Sequence, residues 1–242
     1  MEEGIKLAAR FVYTPNSLGN CGPQNSYQKI LSYLSGESPV DETKEALMKF
    51  QGLPHYLNFI AGKAGKDMFD PEVVEAYIIG NDLLKSFNHS DMKDLIEYLG
   101  TKGLPDTIKI PRLNNLPEGM VPHHNFHVLY IGIGSIAGKV EATLKNTDLC
   151  RVSVGRVVDV NSLEEMIVSV KPLVNDNGIL KIGDYEEPKT AVYSKEFLPE
   201  PPRIGDYVAL HWGRAFKKLS EEQAENIEKY TNKILEALSS SK

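Results

Sequence analysis

Hydrophobic periodicity changes character near residue 145: helical spacing before it gives way to short apolar runs of strand length after it. A chain patterned this way can be neither one uniform helical bundle nor one uniform sheet, and two parts are expected, residues 1–145 and 146–242. In the first part, apolar residues recur at helical spacing over 22–34, 41–50, 71–87 and 91–99. Asp70 followed by Pro71 reads as an N-cap and a first-turn proline. Ser90 reads as the cap of the next helix and Gly100 as its stop. Residues 103–122 read as an irregular, proline-punctuated stretch. They lead into His127-Val-Leu-Tyr-Ile-Gly-Ile133, a continuous apolar run that predicts a buried strand.

The second part predicts short strands at 151–160, 166–173, 179–182, 190–192 and 207–212, separated by Asn, Asp, Gly and Pro. Strands so closely spaced suggest a small closed barrel, because closure removes edges that would pair with other chains. Ser220 with Gln223 forms a capping box for a last helix, and Leu219, Ile227, Ile234, Leu235 and Leu238 mark an apolar face expected to lie against the barrel. The expected class is α+β: a helix-rich first domain, then a small barrel with a C-terminal helix.

Composition narrows the function classes. A hydrophobic content of 41% supports a packed core, and a net charge of −6 lacks the basic excess of a phosphate-backbone binder, so nucleic acid is not an expected partner. No apolar run nears the roughly 20 residues that span a bilayer, and the first ten residues lack a signal-peptide core; a cytoplasmic protein with no membrane partner is expected. Two cysteines make no disulfide framework, so Cys21 and Cys150 each require an explanation. No P-loop, dinucleotide fingerprint, CxxC pair or HExxH motif is present.

Leu149-Cys-Arg-Val-Ser-Val-Gly-Arg-Val-Val-Asp-Val160, Ile204-Gly-Asp-Tyr-Val-Ala-Leu-His-Trp-Gly-Arg-Ala-Phe216 and the helix opening Leu219-Ser-Glu-Glu-Gln-Ala224 follow one another in order. Together they resemble the HypC/HupF family of hydrogenase-assembly chaperones over about residues 149–242. In that family a cysteine opens the first strand of an OB-like barrel, a glycine follows five residues on, and a GDYVxxHxGxA-like segment precedes a terminal helix. The resemblance implies transient binding of iron, as a carbonyl- and cyanide-bearing fragment, with an iron-sulfur assembly partner and a hydrogenase large-subunit precursor as client. By that resemblance Cys150 and His211 are the metal-binding residues. The family cysteine normally follows the initiating methionine, whereas Cys150 is internal and has no free α-amino group beside it. A thiolate and an imidazole still form a sensible minimal iron site. On residue chemistry alone, Cys150 also reads as a small buried filler and His211 as a packed, hydrogen-bonded histidine.

The first part carries a second set. Leu18-Gly-Asn-Cys-Gly-Pro-Gln24 precedes a helical run, so Cys21 is expected near a helix N-terminus with its thiol pKa depressed. Pro122-His-His-Asn-Phe-His127 places His123, His124 and His127 together, with Asn125 and Phe126 expected to alternate between surface and core. The order Cys21 then His127 resembles a papain-like cysteine hydrolase. That reading uses Cys21 and His127 as catalytic pair, Asn146 or Asp148 as the orienting group, Gln24 or a backbone N–H as oxyanion donor, and the barrel as docking module. A third reading joins Cys21 and these histidines to Cys150 as one metal-handling surface.

Overall fold

The computed structural model describes residues 1–136 and 139–240. Its class is α+β. The helical elements begin with α1 (Glu2–Ser17), α2 (Ser26–Leu34), α3 (Val40–Leu47), α4 (Leu53–Ala64) and α5 (Pro71–Ile78). A 3-10 turn at Asp82–Ser86 leads to α6 (His89–Gly100) and α7 (Asp106–Asn114). A single helical turn, α8 (His124–Phe126), continues as a π-helical stretch over His127–Gly132, and α9 (Leu144–Cys150) follows.

Local chemistry explains most of these boundaries. Asp70 caps α5 through the Glu72 N–H, with Pro71 in the first turn where no donor is required. The start of α6 differs from expectation: Asn88, not Ser90, is the cap, in a reciprocal capping box with Asp91, and Gly100 is the last helical residue. Helix α7 occupies part of the stretch expected to be irregular. Helix α1 buries Ile5, Ala8, Ala9, Phe11, Val12 and Pro15 along an apolar stripe.

The expected strand at 127–133 is instead helical. An apolar run of this length is compatible with either a buried strand or a buried helix. The deciding signal lies upstream, where the His123 side chain accepts a hydrogen bond from the Asn125 N–H and caps α8. Asn125 and Phe126 do not alternate, as both are fully buried.

The strands are β1 (Ser153–Val160), β2 (Glu165–Val170), β3 (Leu173–Asp176), β4 (Ile179–Ile182), β5 (Glu187–Val192), β6 (Tyr207–His211) and β7 (Arg214–Leu219). Five of them pair in the order β1-β2-β5-β7-β6, with β6 returning to β1, so the sheet closes; β3 and β4 form a separate hairpin. Gly155 permits that closure. A Cβ there would sit 3.0 Å from both the Leu210 and Val168 side chains. The barrel interior holds Val157, Met166, Val168, Ala191, Val208 and Ala215. Cys150, expected to open the first strand, instead ends α9. The strand expected over 166–173 stops at Val170, and Leu173 begins β3.

Helix α10 (Glu221–Ser240) starts at the Ser220–Gln223 capping box, with both reciprocal bonds at 3.2 Å. Its Ala224, Ile227, Tyr230 and Ile234 enter the same apolar core as α1, α5 and α6, and strand residues Ala209 and Phe216 enter it too. The texture change at residue 145 thus falls inside α9, and one core runs through both sequence parts.

A buried amide secures this junction. Asn125 accepts from the Val152 N–H (2.9 Å) and donates to the Val152 carbonyl (3.0 Å) and to Thr231 Oγ1 (2.8 Å), fastening α8 to the start of β1 and to α10. Asn125→Ala leaves a buried N–H and a buried carbonyl unpaired, and a loss of about 3 kcal/mol in unfolding free energy is expected. Urea denaturation with an unchanged m-value measures it; a loss under about 1 kcal/mol would place the junction's strength elsewhere.

Candidate functional site

Helix α1 carries a proline in its last turn, and this fixes the first functional side chain. Pro15 has no N–H to donate to the carbonyl four residues back, so the Phe11 carbonyl is left without its helical partner. His211 Nδ1 lies 2.8 Å from that oxygen and donates to it. The Phe11 ring stacks on the imidazole, with centroids 4.4 Å apart and planes 8° from parallel. Because a carbonyl only accepts, Nδ1 carries the proton and the neutral ring keeps its lone pair on Nε2. Nε2 is buried and has no well-formed hydrogen bond, and His211 as a whole is 4% exposed. An orphaned buried acceptor costs about 1–3 kcal/mol unless a water or a ligand meets it.

Cys150 is positioned by the end of α9. The last carbonyls of a helix lack intrahelical partners, and two of them are satisfied here by the surrounding fold. The Trp212 N–H donates to the Leu149 carbonyl (2.8 Å), and His124 Nε2 donates to the Cys150 carbonyl (2.9 Å). Trp212 occupies a two-residue hairpin turn between β6 and β7 with φ 53°, followed by Gly213 at φ 76°. Both central residues of such a turn take positive φ, which is costly for a large side chain such as Trp. His124 is fixed from its other side by the Tyr77 hydroxyl of α5, which donates to Nδ1 at 3.1 Å. Both nitrogens of His124 are therefore engaged, whereas His211 Nε2 lacks a well-formed hydrogen bond and the Cys150 sulfur meets only the Trp212 side chain.

One ligand atom from each of His124, Cys150 and His211 lies within 4.8 Å of the others. Cys150 and His211, far apart in sequence, are brought together in this cluster. His124 is the member that enters from the 123–127 histidine cluster, which the third sequence reading joins to Cys150. The signal for it is local, since the cap formed by His123 turns the next residue into the core.

These residues line a cavity of about 100 Å3 whose other walls include Phe11, Phe50, Leu53 and Trp212. Cys21 and His127 line the same cavity. The Cys21 loop is held by Asn16, whose side chain donates to the Cys21 and Pro23 carbonyls (both 2.8 Å) and accepts from the Tyr27 N–H (2.6 Å). Helix α2 begins only at Ser26, with Asn25 as its N-cap, so Cys21 stands outside the reach of its dipole. The expected depression of its thiol pKa does not occur. Burial pushes it strongly up, the neighbouring Cys150 adds to the rise, and Lys139 opposes it. Burial likewise pushes Cys150 to about 12, offset in part by Trp212.

His127 Nδ1 is 3.1 Å from the Tyr56 hydroxyl, so a tyrosine rather than Asn146 or Asp148 contacts this ring. Asp148 is committed to Arg151 (2.7 Å) and Lys189 (3.0 Å), and the Asn146 side chain donates to the Glu141 carbonyl. Gln24 is exposed, and none of Gln24, Asn146 and Asp148 lines the cavity. His55 is half-buried and packs edge-on against Tyr98, while His89 lies near Glu118.

Desolvation also lowers the histidines, to about 4 for His123, His127 and His211 and well below the ordinary value for His124. The imidazoles are neutral and the thiols protonated at neutral pH. A folded pKa below the unfolded 6.5 gives stability that is complete above 6.5 and is lost as pH falls toward 4. For the deeply buried His123 and His211 this amounts to about 2 kcal/mol each at pH 5. The urea midpoint is expected to fall steeply between about pH 6.5 and 4.5, and a flat profile would show these rings already solvated.

From end to end, residues 1–242, the chain matches the model of a family of unknown function (DUF6390). No curated protein and no solved structure matches it.

Proposed function

The chain belongs to the DUF6390 family, and we propose that it is a metal carrier that takes up an iron-containing fragment as cargo through the Cys150 thiolate and His211 Nε2. The observation that carries this reading is the buried Nε2 of His211, which lacks a well-formed hydrogen bond while Nδ1 donates to the Phe11 carbonyl, in one cluster with the Cys150 sulfur. A thiol and an imidazole select soft and borderline transition metals over magnesium or calcium. Two committed protein donors make an incomplete cage, which suits cargo that must be passed on. His124 serves as a positioning residue: it holds the Cys150 carbonyl and thereby the sulfur.

The β-sheet is compatible with the HypC/HupF resemblance. Counting only the closed sheet, its strands run first-second-third-fifth-fourth, with the third and fifth parallel, an arrangement suited to an OB-like Greek-key barrel. On this reading an iron-sulfur assembly protein supplies the fragment and a hydrogenase large-subunit precursor receives it. The cysteine hydrolase is the weaker account, because Cys21 is held as a thiol by burial and its expected helpers Gln24, Asn146 and Asp148 are elsewhere.

Anaerobic titration with Co2+ alone tests the site, since thiolate coordination gives a sulfur-to-metal charge-transfer band. Wild type is expected to show the band, Cys150→Ser to lose most of it, and His211→Ala to bind roughly tenfold or more weakly with the fold retained by circular dichroism. Because each thiol that binds must release its proton while His211 is already neutral, affinity is expected to rise about tenfold per pH unit for every thiol engaged between about pH 6.5 and 9. Absence of the band in wild type would sink the carrier reading. Pro15→Ala restores an N–H that competes for the Phe11 carbonyl, and weaker Co2+ binding with little change in stability is expected. Unaltered binding would remove the proline from the argument.

A further inference from the structure

We propose that Cys21 is a second sulfur donor to the same cargo, so that the ion is finally held by thiolates from both parts of the chain. This rests on the carrier reading above and adds to it a donor that the family resemblance does not supply.

Three observations point there. Cys21 and Cys150 line the same cavity, of about 100 Å3, so cargo held by Cys150 lies in the space that Cys21 borders. Into that cavity faces His211, 4% exposed, with its Nε2 lacking a well-formed hydrogen bond. Finally, the histidine of the cluster is spent, since His124 gives one nitrogen to the Tyr77 hydroxyl and the other to the Cys150 carbonyl, and of the two remaining donors on the wall, Cys21 and His127, the thiol is the softer. A soft ion bound by Cys150 and His211 therefore still lacks donors, and Cys21 is the remaining thiol of the chain.

The surroundings of Cys21 fit the task. Asn16, 4% exposed, spends its amide on the carbonyls of Cys21 and Pro23, and Pro15 contributes a carbonyl to the Cys21 N–H (3.3 Å). The loop and the His211 anchor thus leave from the same turn of α1. Lys139 donates to the Gly22 carbonyl at 2.9 Å, placing a cation beside the thiolate that metal binding would create. Cys21 stands outside the group of atoms within 4.8 Å, so its engagement follows capture by Cys150 and His211. Each thiol that binds forms a metal–sulfur bond and gives its proton to solvent, with no change of oxidation state.

The test is X-ray absorption at the cobalt edge on the full chain loaded anaerobically with one equivalent of Co2+, together with charge-transfer intensity per bound ion. Wild type is expected to show two sulfur scatterers, and Cys21→Ser one, with about half the band intensity and roughly tenfold or more weaker binding. The chain has two cysteines, so the wild-type count stands even if Cys21→Ser fails to fold. One sulfur in wild type, or a Cys21→Ser variant indistinguishable from it, would overturn the proposal while leaving the single-thiolate carrier intact. No sulfur at all would overturn both.

Discussion

A single missing N–H organises this protein. Pro15 cannot complete the helical bond to Phe11, and the carbonyl so released becomes the acceptor for His211 Nδ1. That contact ties the first helix to the end of β6, fixes the imidazole tautomer and aims an uncommitted lone pair into the cavity. The same turn holds the Cys21 loop through Pro15 and Asn16. Remote parts of the chain thus meet at one helix end.

Burial gives the cavity its chemical character. Desolvation keeps its imidazoles neutral and its thiols protonated, so the pocket presents lone pairs without charge until something displaces a thiol proton. A poised nucleophile requires a thiol pKa that is lowered, and Lys139, the cation beside Cys21, does not overcome the rise that burial causes. On the proposed carrier reading, a soft metal ion would supply its own charge and drive that deprotonation.

Much of the architecture was legible along the chain. The Asp70–Pro71 start and the Ser220–Gln223 box are local hydrogen-bond chemistry, and both form. Cys150 and His211 were legible through a pattern of glycines and strands, and they do adjoin. Residues 127–133 were misread because an all-apolar run has no period to betray it, and the cap supplied by His123 is an uncommon one. Cys21 was misjudged because a nearby helix was credited with a dipole effect that its actual start, at Ser26, is too remote to exert.

The sequence by itself determined the α+β pattern, the position of the change near residue 145 and the reactive side chains available, because caps, turns and periodicity act over a few residues. Only the tertiary structure decided that two thiols and three imidazoles share one small cavity, and in which protonation states. Those depend on the Phe11 and Cys150 carbonyls, the Tyr77 hydroxyl and the removal of water, all supplied by residues distant in the chain.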